Sequence, residues 1–117
     1  MIVAAQLNSL TIPDFSNTSD TPADVENFSI YFEAVIGPST AEGGDVFYFE
    51  AVSAAFLAAE ARTRWGRGLL FVPSFSESTV RAAVERLCSQ VQRSTWSEVA
   101  FELNKVLRWE FDYHAKA

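Results

Sequence analysis

Two segments in the middle of the chain alternate apolar and polar side chains so regularly that they predict a pair of β-strands. In residues 28–36, FSIYFEAVI, the apolar side chains at every second position fall on one face. The same period of two continues in residues 45–52, DVFYFEAV. This period is typical of strands with one buried face. The Gly37-Pro38 pair and the flexible STAEGG segment between them predict a β-hairpin with a loop longer than a tight turn.

Two later segments show the periodicity of helices. Ser76 is predicted to cap the first of them. Its apolar stripe has the spacing of one helix face and comprises Val80, Ala83, Val84, Leu87, Cys88 and Val91. In the second, Thr95 and Glu98 have the spacing of a capping box. The stripe that follows comprises Trp96, Val99, Ala100, Leu103, Val106 and Leu107.

The remaining segments complete the predicted fold. Residues 2–11 form a first strand, residues 14–27 a polar loop, and residues 69–72 a short buried strand. We predict an α+β domain spanning residues 1–117. Its antiparallel sheet has about four strands and a long central hairpin, and two amphipathic helices cover one face in a two-layer arrangement.

Two further local predictions concern the connections. Ser53 caps a short helix, with Phe56 and Leu57 as its buried side chains. The sequence WEFDY at residues 109–113 alternates aromatic and acidic side chains, which predicts a strand or an extended tail.

Charge is divided unevenly along the chain. Residues 1–60 contain nine acidic residues and no Lys or Arg, and all nine basic residues lie in residues 61–117, within a net charge of −6. An acidic half disfavours direct contact with nucleic acid and favours a basic protein partner, although such charge also serves solubility alone. No apolar run reaches the roughly 18 residues of a membrane span. The N-terminal segment lacks the features of a signal peptide and the chain has one cysteine, so we expect a cytoplasmic protein.

The residue types that enzymes use are scarce. The only histidine is His114, and the only cysteine, Cys88, lies in an apolar helix stripe where a small core residue is the favoured interpretation. This inventory excludes a Cys/His zinc site, and no Gly-rich phosphate loop or G-x-S-x-G motif occurs. Glu33 and Glu50 lie on the two strands of the hairpin and could suit a glycosidase, but solvated positions on a sheet face are the favoured interpretation. We therefore expect no catalysis, metal or cofactor.

A series of short motifs runs through most of the chain: Pro13-Asp14, Asn27-Phe28, Ile36-Gly37-Pro38, the aromatic run at 47–49, R-W-G-R at 64–67, T-W-x-E-x-x-x-x-L at 95–103 and W-E-F-x-D/Y at 109–113. In this order and spacing they resemble the immunity protein 8 family of bacterial polymorphic toxin systems. The resemblance implies a protein that binds and neutralises a cognate toxin domain without catalysis. Such toxins pass between neighbouring bacteria by contact-dependent inhibition or a related route. The alternative is a small acidic adaptor or regulatory module that binds a protein other than a toxin.

Many toxins of this kind are nucleases with basic clefts, so an acidic inhibitor can match the charge of their substrate. We therefore predict that the acid-rich loops bind the partner: Asp14, Asp20, Asp24 and Glu26 in the first loop, Glu42 and Asp45 at the hairpin turn. Trp65 is a further candidate, with a core position under the bend as an equal alternative. Trp96, Trp109, Phe111 and Tyr113 are assigned mainly to the core. We expect no direct contact with nucleic acid or membrane. A monomer or weak dimer is expected, since the hairpin could expose a strand edge.

Overall fold

A computed structural model gives the fold of the protein and describes residues 1–14, 21–60 and 62–112. The elements in chain order are β1 (Val3–Thr11), β2 (Ser29–Pro38), β3 (Asp45–Val52), α1 (Ala54–Glu60), β4 (Leu69–Phe71), α2 (Glu77–Ser89), β5 (Gln92–Arg93), α3 (Trp96–Leu103) and β6 (Arg108–Trp109). The strands form one sheet in the order β4-β3-β2-β1-β5, and β6 pairs with β3. The α+β class is confirmed. The sheet has more strands than predicted, because the two-residue strands β5 and β6 are too short to show a period.

The predicted central hairpin is confirmed. Strands β2 and β3 pair antiparallel without a break, from Ser29 opposite Val52 to Ile36 opposite Asp45. Their inner faces are almost completely buried, and Phe32 and Phe49 stack directly across the pair with ring centroids 5.2 Å apart. A bulge in β1 after Leu7 shifts the register against β2. This shift keeps the apolar side chains of β1 on the inner face on both sides of the bulge.

The prediction of a wholly antiparallel sheet is wrong at β4, which runs parallel to β3. Residues 53–68 carry the chain back to the start of a parallel neighbour, and a crossover needs about a dozen residues or more. Strand β6 pairs antiparallel with the first half of the same edge of β3, placing Trp109 opposite Phe47 and Arg108 opposite Tyr48. One edge of β3 is therefore shared by two short strands, with a gap between them at Phe49.

The C-terminal segment corrects a second prediction. Only Trp109 of the sequence WEFDY lies in a strand, and the chain turns at Glu110. The Glu110 amide donates to the Val46 carbonyl at 2.9 Å, and the Val46 amide donates to the Glu110 carboxylate at 2.6 Å. This carboxylate takes the place of the next backbone acceptor, so the pairing ends there. Tyr113 lies outside the described residues.

The two long helices lie on the inner face and contribute to the same core as the sheet. The Ser76 cap of α2 and the capping box of α3 are both confirmed. Helix α3 ends at Leu103, so Val106, predicted in its buried stripe, is instead 48% exposed. No described helix is long and apolar enough to cross a membrane.

The short helix α1 begins after Ser53, as predicted, and the Phe56 amide donates to the Ser53 hydroxyl at 3.2 Å. The predicted burial of Phe56 and Leu57 is wrong, since no residue of α1 is buried. The helix belongs to the crossover from β3 to β4, and α2 and α3 cover the core in its place.

Candidate interaction surface

Three of the predicted acidic residues lie at one end of the sheet. Asp14 follows β1, Asp24 and Glu26 precede β2, and all three are exposed. The Glu26 amide donates to the Asp24 carboxylate at 2.9 Å, so Asp24 shapes its own loop. Asp20 lies outside the described residues.

Glu42 lies at the opposite end, in the exposed loop between β2 and β3. Strand β2 separates the two ends by roughly 30 Å, given about 3.3 Å per strand residue. Gly43 has φ +79° and Gly44 φ +152°, and a Cβ on Gly44 would overlap the Ile36 carbonyl. The loop therefore requires glycine beside Glu42. The side-chain amide of Asn8 donates to the Gly43 carbonyl and fixes the loop against β1.

Asp45, the last acidic residue predicted at this end, has a structural role. One of its carboxylate oxygens accepts hydrogen bonds from the indole nitrogens of both Trp96, at 3.0 Å, and Trp109, at 2.9 Å. The first residue of β3 is thereby joined to the first residue of α3 and to β6. Both tryptophans are half-buried and pack against the core, as assigned. The assignment of Phe111 to the core is wrong, since its side chain is 38% exposed and contacts Trp109 edge to face from outside.

Trp65 differs sharply from the other two tryptophans. Its side chain is 94% exposed, so the alternative that places it in the core is wrong. An indole this exposed is uncommon, because Trp is highly buried on average. Nothing in the described structure covers it, which makes it the most conspicuous apolar group on the surface.

Hydrogen bonds and ion pairs hold the segment on both sides of Trp65. Arg67 donates to the backbone carbonyl of Asn104 at 2.9 Å and to its side-chain oxygen at 2.6 Å. Arg64 lies 3.4 Å from the Glu60 carboxylate and 4.0 Å from that of Glu50. The residues on both sides of Trp65 are thereby attached to other parts of the domain.

A cleft of about 360 Å³ opens beside Trp65, at the gap between β4 and β6. Four of the nine cationic residues of the chain line it: Arg62, Arg64, Arg67 and Arg108. Gly68, with φ +79°, lets the Arg108 side chain lie across the bend, because a Cβ there would come 2.9 Å from Arg108 Nε. The loop cations are visible in the sequence. Arg108 could not be placed with them, since only the pairing of β6 with β3 brings it there.

Tyr31 forms another part of the cleft wall. Burial, followed by the neighbouring Tyr48, raises the pKa of Tyr31, while Arg108 acts to lower it. The phenol therefore keeps its proton at neutral pH and can donate a hydrogen bond. Its ring stacks on that of Tyr48 with centroids 5.9 Å apart.

The residues considered for catalysis are engaged elsewhere or buried. Burial, with a smaller contribution from Glu85, raises the pKa of the Cys88 thiol to about 11. Glu33 and Glu50 lie on either side of the stacked Tyr31 and Tyr48, and the Ser29 hydroxyl donates to Glu50. His114 lies outside the described residues, among which no group of three or more His, Cys, Asp or Glu is placed to hold a metal.

The sequence profile of the family described as immunity protein 8 matches residues 5–114. The chain belongs to the immunity protein 8 family. No curated protein and no solved structure matches it significantly.

In this immunity protein 8 chain, the motifs behind the sequence resemblance have separate structural roles. T-W-x-E forms the capping box of α3 and supplies one of the two indoles bound to Asp45. R-W-G-R forms the loop that presents Trp65 and half of the arginine cleft. The first of these motifs maintains the fold, whereas the second leaves its central side chain exposed.

Proposed function

We propose that the protein is an immunity protein that binds a cognate toxin domain and blocks it by non-covalent occlusion. The observation that carries the proposal is its membership of the immunity protein 8 family over residues 5–114. The toxin is one delivered between bacteria, and the protein acts in the cytoplasm of the cell that makes it.

The exposed groups support a protein partner. Stable inhibitor complexes bury about 1,600 Å² in total, and a few residues, commonly Trp, Tyr and Arg, dominate their energy. Trp65 has this character, since its indole is exposed and its neighbours Arg64 and Arg67 contact other elements of the domain.

A basic nuclease is the toxin class that the acidic residues fit best. Nuclease clefts carry Lys and Arg to hold phosphate, and exposed carboxylates can occupy the same positions. We propose that Asp14, Asp20, Asp24 and Glu26 supply this charge. Glu42, at the opposite end of the sheet, is a contact only for a toxin that binds the hairpin loop. Asp45 contributes mainly by fixing the strand that follows Glu42.

Neutralisation without catalysis is consistent with the side chains available. The Cys88 thiol is 4% exposed and its pKa is raised, so it is a poor nucleophile. Separation of Glu33 and Glu50 by a tyrosine stack disfavours their joint action as acid and base.

Co-expression tests the proposal. The gene for the protein is expressed with the toxin domain encoded immediately upstream, and growth is compared with that of cells carrying the toxin alone. We expect growth to be restored, and the purified proteins to form a stable complex. A second strain carries the same toxin with an immunity protein from another family, which should give no rescue.

Cell death in the presence of folded, expressed protein would contradict the proposal for this pair. Capture of a non-toxin protein, with no effect on toxicity, would support the adaptor alternative in its place.

A further inference from the structure

We propose that the arginine cleft beside Trp65 is a docking site for an acidic side chain of the toxin domain. This inference rests on the proposed function and adds to it a contact of opposite sign. The acidic loops meet basic groups of the toxin, and the cleft receives a carboxylate.

Two of the four arginines in the cleft are already paired. Arg67 is bound by both oxygens of Asn104 and lies 3.6 Å from Asp112. Arg64 lies between Glu50 and Glu60. Arg67 therefore has few donors left for a ligand. Arg64 keeps Nε and Nη2 without a hydrogen-bond partner among the described residues, but both atoms are buried and less accessible to a ligand than the exposed arginines.

The other two arginines are available. Arg62 is 61% exposed and has a single long contact of 3.8 Å with Glu60. Arg108 is exposed, and among the described residues its guanidinium has no carboxylate within 4.0 Å. The one side-chain hydrogen bond found for it there is a long one to the Arg67 carbonyl at 3.4 Å. A guanidinium presents a planar fork of donors that matches a carboxylate, so both side chains suit such a ligand.

The other walls of the cleft favour a side chain with an apolar stem. Trp65, Leu69 and the ring of Tyr31 supply apolar surface, and the Tyr31 hydroxyl supplies a further donor. A volume of about 360 Å³ lies at the low end of ligand pockets, which run from roughly 300 to 1,000 Å³. Glu or Asp together with an adjacent residue fits this space.

A protein carboxylate fits better than a nucleic-acid phosphate. Tight binding of nucleic acid requires several phosphates to be neutralised at once. Here Glu50, Glu60 and Asp112 accompany the four arginines, and the whole chain carries −6. The local positive charge is sufficient for one carboxylate, whereas the surrounding field repels a polyanion.

Removing the positive charge of one cleft arginine, and then reversing it, tests the inference. Binding of the toxin domain, made catalytically inactive, is measured by calorimetry for the wild type, Arg108→Gln and Arg108→Glu. We expect about tenfold weaker binding for Arg108→Gln and at least 100-fold weaker binding for Arg108→Glu, because a glutamate would repel the incoming carboxylate. Trp65→Ala should weaken binding about 30-fold.

Arg86, exposed on α2 and not among the residues that line the cleft, provides the matched control. Arg86→Gln and Arg86→Glu change the net charge equally and should alter binding less than threefold. Thermal melting identifies any Arg108 variant that fails to fold, and the same pair of changes at Arg62 then replaces it.

Each outcome decides between alternatives. Binding that is unchanged or tightened by Arg108→Glu would overturn the docking site while leaving the immunity function intact. Absence of binding by the wild type would contradict the proposed function itself. Binding of a single-stranded 20-nucleotide DNA that is lost in Arg108→Gln would overturn the assignment to a protein carboxylate.

Discussion

At the scale of single residues, Asp45 shows how one carboxylate joins distant parts of the chain. Its two indole donors come from Trp96 and Trp109, more than fifty residues away in sequence. Hydrogen bonds to a charged group contribute roughly 1.5–3 kcal/mol, and a donor left without a partner in a half-buried position carries a penalty. The contact therefore stabilises the docking of the C-terminal segment on β3.

We predict that Asp45→Ala lowers the free energy of unfolding by about 2–3 kcal/mol, because both indole N–H groups lose their acceptor. Urea denaturation followed by tryptophan fluorescence measures the change. Glu42→Ala, three residues earlier and exposed, is the control and should stay within about 0.5 kcal/mol of the wild type. A loss below 0.5 kcal/mol for Asp45→Ala would mean that the indoles find other acceptors.

At the scale of elements, two N-cap serines give a matched comparison. Ser76 is partly exposed and accepts one backbone hydrogen bond, from the Thr79 amide at 3.3 Å; its hydroxyl also shares a hydrogen bond of 3.0 Å with the Ser78 hydroxyl. Ser53 is 1% exposed and accepts two, from the Phe56 amide that begins α1 and from the Phe28 amide at 3.0 Å. The second bond connects the segment entering β2 to the end of β3.

We predict that Ser53→Ala destabilises the protein by about 2–3 kcal/mol and Ser76→Ala by about 1 kcal/mol. Both changes remove a helix cap, but only the first leaves a buried amide without a partner. Chemical denaturation of the two variants measures the difference. Equal losses would show that the Phe28 amide gains another acceptor or a water molecule.

The parts of the fold that could be predicted are those encoded by residues close together in the sequence. The hairpin, the stripe of α2 and the capping box of α3 are encoded by neighbours in sequence, and all three are confirmed. The parallel pairing of β4 and the two-residue strand β6 depend on contacts between distant segments, so the local sequence periodicity does not predict them.

The features of the candidate interaction surface also differ in whether neighbouring residues in the sequence predict them. The acidic loops could be named from the sequence because charge and loop composition are local properties. For Trp65 the sequence left exposure and a core position as equal alternatives, and only the structure shows it exposed. The arginine cleft could not be named from the sequence, since Arg108 reaches it only through β6, and the role of Asp45 depends on two indoles from distant segments.

At the scale of the whole molecule, the predicted acidic contacts lie at opposite ends of the sheet. A single interface with the toxin need not include both ends. An interface of standard size covers about 800 Å² of each partner, which corresponds to a radius of about 16 Å. The cleft includes Tyr31, the third residue of β2, so it lies towards the end that carries Glu26. About 23 Å of strand separates Tyr31 from the end of β2, next to the Glu42 loop.

A toxin centred on the cleft should therefore contact Glu26 and leave Glu42 outside the interface. We predict that Glu26→Lys slows association about five- to tenfold at low ionic strength and reduces its dependence on salt, because a steering charge is reversed. Glu42→Lys changes the net charge equally, but its loop lies about 23 Å along the strand from Tyr31. At 200 mM NaCl, where the Debye length is below about 10 Å, it should change the rate less than twofold. At 20 mM, where the Debye length is roughly 20 Å, its effect should stay smaller than that of Glu26→Lys. Stopped-flow mixing with the toxin domain at 20 and 200 mM NaCl measures both, with melting temperatures expected to stay nearly unchanged. A larger effect at Glu42 would place the toxin on the hairpin loop and away from the cleft.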